Sequence, residues 1–185
     1  DSINRDFQSM LATLNTTSAG QHLFAGNRTD GPALTGFETI LAELNTAVSG
    51  ATTAAAIANR IDAWFAAPQG AGGFSDTVYR GSDNGSTRFL ISPDHRIDSN
   101  LSANSVELRD TLKGMAMIAY ASEAGPAMDA KTLRDLFSEA GVRLAKATIG
   151  LTAARADLGQ QQAAVTQAQA RNSAETTTLS IARTN

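Results

Sequence analysis

The first apolar pattern of the chain predicts a helix over residues 2–22. Ile3, Phe7, Met10 and Leu14 recur at steps of four, three and four residues, which is the spacing of a coiled-coil seam. Such a seam is narrower than the apolar stripe of a surface helix in a globular protein. We therefore expect the first helix to pack along one other helix of the chain.

Helical spacing returns three times in the middle of the chain. Each of these segments ends at a residue that breaks helices, glycine in the first case and proline in the second, with a Gly-Pro pair after the third. The predicted helices cover residues 36–49, 53–67 and 106–121.

Between the second and third of these helices the apolar period changes from that of a helix to that of a strand. Apolar and polar residues alternate over 77–81 and 87–92, on either side of an Asp-Asn-Gly sequence at 83–85. This pattern predicts a β-hairpin, with a third short strand near 95–98. Because two or three strands alone are only marginally stable in water, we expect the hairpin to lie against the helices.

The last predicted helix is the longest. No proline follows Pro126, so residues 130–184 can form one helix about 80 Å long at ~1.5 Å per residue. Its first seam position repeats every seven residues at Leu144, Leu151, Leu158, Val165, Asn172 and Leu179. Its second seam position repeats at Ala147, Ala154, Gln161, Ala168, Glu175 and Ala182. We expect this seam to pack antiparallel against the first helix.

The surface of this long helix carries few charges. Over 151–185 the charged residues are Arg155, Asp157, Arg171, Glu175 and Arg183. A solvated helix normally carries charges over most of its outer face. The helix also contains three glycines, which cost about 1 kcal/mol each relative to alanine and are useful where another backbone comes close. We therefore expect this helix to be covered on more than one side, partly by other subunits.

Composition excludes several classes of function. The 185 residues have a net charge of −3, which favours neither nucleic acid nor an anionic membrane as a partner. The chain has no cysteine, which excludes disulfides and thiolate metal sites. No apolar run approaches the ~20 residues of a membrane span. Because the chain begins at Asp1 rather than Met, we expect it to be a trimmed part of a longer protein.

No group of residues suggests catalysis or cofactor binding. Of the two histidines, His22 lies at the end of the first predicted helix and His95 lies in the SPDHRID turn, and capping or surface roles are the common case at such positions. The sequence GSDNGS at 81–86 has no lysine for a phosphate loop and lacks the residue spacing of a calcium loop. We predict no catalytic residues, no metal site and no cofactor.

Three sequence features, one towards each end of the chain and one in the middle, are typical of one protein family. The family's first helix typically ends in a G-x-Y/H-L-F-[AS]-G phrase, and its last helix commonly carries an A-x-x-x-N-x-x-x-E pattern. Ala168, Asn172 and Glu175 are similar to that pattern but not identically spaced, and the VYRGSDNGSTRFLIS segment resembles the family's hairpin. The phrase that ends the first helix is matched here by Gly20, His22, Leu23, Phe24, Ala25 and Gly26. With these three features the chain resembles the flagellin superfamily.

The resemblance is strongest to the hook-associated proteins that join the flagellar hook to the filament. It implies a mainly α fold, with a long antiparallel helical bundle formed by 1–25 and 127–185, like the D1 domain of flagellins. Residues 26–126 would form an inserted region of helices and a β-hairpin. The implied function is that of an extracellular structural subunit of the bacterial flagellum, without enzymatic activity.

The same resemblance implies the partners. These are other axial proteins of the flagellum, namely a hook-associated protein and flagellin, together with an export chaperone. The family assembles through terminal segments that would be absent from a trimmed chain. We therefore expect the chain alone to be a monomer in dilute solution, with contacts well below the ~1,000 Å² of a stable interface.

Two alternatives remain open at this point. The chain can be a flagellin, which builds the filament, rather than a junction protein. From a different class, it can be an extracytoplasmic helical sensor or binding domain, which requires a ligand pocket between helices. An enzyme is the least favoured class, since no nucleophile–base pair or metal-binding set is found.

Overall fold

The computed structural model describes residues 2–83, 87–92, 95–99 and 102–184, and these residues are mainly helical. The mainly α class is therefore confirmed. The helices are α1 (Ser2–Leu14), α2 (Phe37–Ala47), α3 (Ala54–Ala66), α4 (Phe74–Thr77), α5 (Val106–Ala124) and α6 (Ala130–Thr184). The strands are β1 (Thr17–Ser18), β2 (Gln21–His22), β3 (Thr87–Ser92) and β4 (His95–Ser99).

Helix α5 lies at the centre of the packing and contacts α1, α2, α3 and α6. Small residues on α5 allow this close approach: a Cβ added at Gly114 would lie 2.7 Å from the side chain of Leu144 on α6. Gly125, just after α5, faces Leu133 near the start of α6, and Glu107, near the start of α5, approaches Gly150. Helices α5 and α6 therefore run antiparallel.

Helix α1 packs on α5 and α2, which differs from the predicted pairing with the terminal helix. Asn4, near the start of α1, donates a hydrogen bond to Glu123 near the end of α5. At the other end, the amide of Ala103 donates to the carbonyl of Phe24 at 2.8 Å. Helix α1 is thus antiparallel to α5 and runs in the same direction as α6. The physical reason is that a heptad seam specifies a helical partner but not which helix it is.

The first helix is also shorter than predicted, ending at Leu14 rather than at residue 22. Residues 17–22 instead form a small hairpin in which Thr17 pairs with His22 and Ser18 with Gln21. Its two turn residues have positive φ, 49° at Ala19 and 80° at Gly20. Positive φ at both central positions is the geometry of the tight turns that connect two strands, and it is incompatible with a continuing helix.

The second hairpin pairs different segments from those predicted. Strand β3 is antiparallel to β4, with Arg88 opposite Asp98, so the strand predicted over 77–81 is not its partner. Of the residues predicted as that strand, Thr77 is the last residue of α4, Val78 is buried in the core and Tyr79 forms an isolated antiparallel bridge with Leu34. Asn84 and Gly85, which form most of the predicted turn, lie outside the described residues.

The other helix predictions are confirmed by the structure. Helices α2, α3 and α5 lie within two to three residues of the predicted bounds, and one uninterrupted helix of 55 residues covers 130–184. Thr53 caps α3 by accepting a hydrogen bond from the amide of Ala56 at 3.2 Å. One buried cluster includes residues from both predicted parts of the chain, 1–25 with 127–185 and 26–126.

Candidate functional site: the surface of the terminal helix and the Gly26 junction

The body of the protein covers only the first part of α6. Leu136 and Ala140 are buried and Leu151 packs partly against the core. Beyond Leu151, most described positions are exposed, although β3 also contacts α6. Large apolar side chains are exposed at Val142, Ile149, Leu158 and Ile181. An exposed apolar surface on a long, weakly charged helix is typical of a surface for protein contacts.

The predicted seam residues of α6 do not share one environment. Leu144, Leu151 and Val165 are half-buried, Leu158 and Asn172 are exposed, and the side chain of Leu179 lies outside the described part of the structure. In the second seam position, Ala147 and Ala168 are buried. Other parts of the chain therefore cover the seam as far as Leu151. Beyond Leu151 they cover it only locally, most fully around Val165 and Ala168.

The seam residues of α1 are also divided. Phe7 and Leu14 are fully or nearly fully buried, Met10 is half-buried and Ile3 is exposed. Leu11, which the sequence pattern does not include, is buried instead. The buried face of α1 is therefore Phe7, Leu11 and Leu14, which is the face turned towards α5 and α2.

Leu158 provides a test of how the terminal helix is covered in the isolated chain. Because its side chain is 40% exposed, Leu158→Ala is expected to lower the free energy of unfolding by about 1 kcal/mol or less. Leu136 on the same helix is 0% exposed, and Leu136→Ala is expected to cost about 2–5 kcal/mol. Urea denaturation of both variants measures the two effects. A cost at Leu158 equal to that at Leu136 would show that α6 is buried along its length.

The HLFAG phrase forms a backbone junction with the segment 81–83. The buried Ala25 accepts at its carbonyl a hydrogen bond from the Ser82 amide at 3.0 Å, and the Ser82 carbonyl accepts one from the Asn27 amide at 3.0 Å. Between them, Gly26 has a φ of +62°. A Cβ on Gly26 would lie 2.1 Å from the Ser82 carbonyl oxygen, so only glycine fits here. We refer to this contact of residues 25–27 with 81–83 as the Gly26 junction.

Asp83 holds the Gly26 junction to the loop before α5. Its carboxylate accepts hydrogen bonds from the hydroxyls of Tyr79 and Ser102, both at 2.8 Å, and from the side-chain amide of Asn104 at 2.5 Å. Burial of Tyr79 and its hydrogen bond to Asp83 raise the pKa of the phenol well above its usual value. The Tyr79 hydroxyl is therefore a donor throughout the physiological pH range.

The other residues of the phrase shape the preceding turn. The ring of His22 is 3.0 Å from the Asn15 carbonyl, measured from Nδ1, and the Asn15 side chain bonds both the amide and the carbonyl of Leu34. Leu23 is 55% exposed. The arrangement directs the chain from the end of α1 back into the core at Ala25.

An ion cluster joins α6 to α3 and α5. Arg143 on α6 donates from Nε to both carboxylate oxygens of Asp62 on α3, at 3.0 and 3.1 Å, and from Nη1 to Glu139 at 2.6 Å. Lys113 on α5 lies 3.5 Å from Asp62 and 2.8 Å from Asp110. Burial alone would raise the pKa of Asp62, but hydrogen bonds and charge from Arg143 and Lys113 outweigh it and lower that pKa.

Arg143→Met tests this cluster, because methionine keeps much of the buried stem and removes the charge. With Asp62 about one-third exposed, we expect a loss of about 1–2 kcal/mol in the free energy of unfolding at neutral pH. A carboxyl group whose pKa is lowered on folding stabilises the fold at pH values above its unfolded-state pKa of 3.8. This stabilisation disappears as the pH falls through the pKa of the folded state. The difference between wild type and variant should therefore narrow below about pH 4.

The control for that measurement is Lys131→Met, which removes an exposed pair with Asp135 on the same helix. Screening by water makes such a pair nearly neutral for stability. Equal losses for the two variants, or a difference for Arg143→Met that stays constant from pH 7 to pH 3, would contradict the proposed role of the Arg143–Asp62 pair.

Several residues of these contacts were not found from the sequence. The sequence pattern places Asp83 in a turn and does not predict its hydrogen bonds. Asn104, Asp62 and Arg143 lie far apart in sequence within ordinary polar patterns. Within the described ranges, no group of three or more His, Cys, Asp or Glu side chains is placed to hold a metal ion. No helix in the described part of the chain is both long and apolar enough to cross a membrane.

Comparison with known proteins adds no assignment. No family model, curated protein or solved structure matches this chain.

Proposed function

We propose that this chain is a structural subunit of the bacterial flagellum, a member of the flagellin superfamily that joins hook to filament outside the cell. It acts by packing its terminal helix against neighbouring axial proteins, a hook-associated protein and flagellin. An export chaperone binds it before assembly. It performs no catalysis and requires no cofactor.

The observation that carries the proposal is the surface of α6 beyond Leu151. A 55-residue helix leaves most of its second half exposed, yet only five charged residues occur over 151–185. Most of the stability of a helix in a protein comes from packing of one face against other elements, and the second half of α6 has little such packing within the chain. Neighbouring subunits that cover this surface would stabilise it, which is how an axial protein holds its place.

The long helical bundle implied by the resemblance belongs to this proposal as well. Helix α1 ends after Leu14 and packs on α5, so it does not provide the cover expected for the far half of α6. In the proposed assembly, helices of adjacent subunits complete the bundle around α6. The Gly26 junction then serves as the corner that turns the chain from α1 towards the outer part of the subunit.

Co-sedimentation with sheared hook–filament fragments tests the proposal. The wild-type chain is expected to pellet with the fragments, and the double variant Ala163→Glu, Ala170→Glu to remain in solution. Both alanines are exposed on α6, so the variant should fold normally. Ala55→Glu, at an exposed position of α3, is the matched control and should pellet like the wild type.

The alternatives give different outcomes in the same experiment. Elongation of the fragments by added chain would identify a flagellin instead of a junction protein. No binding to hook or filament, combined with a rise of several degrees in melting temperature with one small ligand, would overturn the proposal in favour of a sensor domain.

A further inference from the structure

A second heptad pattern lies on the side of α6 that faces away from α5. It consists of two rows of residues spaced by seven, one from Ile149 to Thr177 and the other from Ala153 to Ile181. We call these two rows the outer stripe. They contain only Ile, Ala, Gln and Thr, whereas the outer face of a solvated helix normally carries charges.

Every residue of the outer stripe is exposed. Ile149 is 73% exposed at one end and Ile181 is 57% exposed at the other. Beside the stripe, a Cβ added at Gly159 would have no atom within 4 Å. In the first row, the alanines at 156, 163 and 170 allow another helix to approach closely, and glutamines at 160 and 167 lie beside them in the second row. An isoleucine at each end of the stripe provides most of its apolar area.

The charges beside the stripe indicate what can lie on it. Asp157 and Arg171 flank it on one side, and the point midway between them is position 164. The point midway between Ile149 and Ile181 is position 165. A two-fold axis at that level therefore brings Ile149 against Ile181 of a second copy. It also brings Asp157 against Arg171 of that second copy. A parallel arrangement would instead bring like charges closest together.

From this coincidence of apolar and charged positions we infer that α6 pairs antiparallel with α6 of a second copy of the chain through the outer stripe. The paired segment extends from Ile149 to Ile181, about 48 Å at ~1.5 Å per residue. Since the rest of the chain packs mainly on the first part of α6, an antiparallel pair places the two packed bodies at opposite ends. Helix α5 lies on the other side of α6 and leaves the outer stripe accessible. This pairing does not depend on the flagellar role proposed above.

The pairing is weak, since alanine offers little apolar area and two exposed ion pairs add little. We expect a dissociation constant on the order of 100 µM, as in interfaces at the small end of the known range. Below about 10 µM the chain is then mainly monomeric, consistent with the monomer expected from the sequence. The dimer forms in the range of hundreds of micromolar.

Sedimentation equilibrium of the isolated chain from 5 to 500 µM, combined with charge reversal, tests the inference. Asp157→Arg places arginine against Arg171 of the second copy, and Arg171→Asp places aspartate against Asp157. Each single variant is expected to weaken dimerisation about tenfold. The double variant Asp157→Arg, Arg171→Asp restores opposite charges in the antiparallel register and should dimerise like the wild type.

Two further variants complete the design. Ile149→Gln should weaken the dimer more than tenfold, and Arg155→Glu, which changes an exposed charge away from the outer stripe, should leave it unchanged. A wild-type chain that stays monomeric to 500 µM would overturn the inference. So would a double variant that dimerises no better than the single ones, because only the antiparallel register predicts the rescue. No flagellar component is present, so the outcome is separate from that of the co-sedimentation experiment.

Discussion

Gly26→Ala is expected to lower the free energy of unfolding by about 3 kcal/mol or more, one of the two largest effects we predict. The left-handed backbone at Gly26, with φ of +62°, costs an alanine roughly 1–2 kcal/mol. The added Cβ would also lie 2.1 Å from the Ser82 carbonyl oxygen, so the backbone of the Gly26 junction must move apart. Urea denaturation of the wild type and the variant measures the difference.

Gly20→Ala separates the two contributions to this loss. Gly20 also has a positive φ, 80°, but a Cβ there would meet no atom within 4 Å. The expected loss is therefore about 1 kcal/mol, from the backbone conformation alone. If the two glycine variants lose equal stability, the close approach of residues 26 and 82 is not what requires glycine in the HLFAG phrase.

Phe7→Ala is expected to destabilise the protein by about 3–5 kcal/mol. The Phe7 side chain is 0% exposed and its ring packs edge-on against Phe37 with centroids 5.8 Å apart. Truncation to alanine leaves a cavity between α1 and α2 and also weakens the contact of α1 with α5. Thermal and chemical denaturation measure the loss, and amide hydrogen exchange in α1 should become faster.

The control for Phe7 is Leu23→Ala, because Leu23 is a large apolar residue that is 55% exposed. We expect it to change stability by about 0.5 kcal/mol or less. If Phe7→Ala were as mild as Leu23→Ala, α1 would not be an integral part of the core. That result would reopen the possibility that α1 pairs with the terminal helix, as the sequence pattern predicted.

Local sequence patterns predicted the helices well where an apolar period and a terminating residue coincide. The bounds of α3 follow from helical spacing that ends before Pro68, and the 55 residues of α6 follow from a long stretch without proline. The end of α1 was missed because Ala19 and Gly20 adopt positive φ, which a non-glycine residue such as Ala19 rarely shows. The partner of strand β3 was predicted wrongly because residues 77–81 and 95–99 both neighbour β3 in the sequence and both can form a strand. In the structure β3 pairs with 95–99.

The candidate site was predictable only in part. The residues of the HLFAG phrase were identified from the sequence, but their contact with 81–83 joins segments more than fifty residues apart in the chain. The hydrogen bonds of Asp83 to Ser102 and Asn104 span 19 and 21 residues. The same holds for Asp62 and Arg143, which are 81 residues apart in sequence. Pairwise contacts at such separations leave no periodic pattern in a single sequence.

By itself, the sequence of this protein determined its class of secondary structure, the long terminal helix and the scarcity of charge on that helix. These properties depend on spacing and composition within short windows, where one helix or strand period is sufficient. The tertiary structure decided which helix pairs with which. A seam such as that of α1 fits any complementary helix, and α5 accepts it because its small residues let α1, α3 and α6 approach together. The tertiary structure also decided the direction of the helices: α1 and α6 both lie antiparallel to α5, so they run in the same direction. No helix of the described chain covers the outer stripe on the far half of α6, which is therefore exposed.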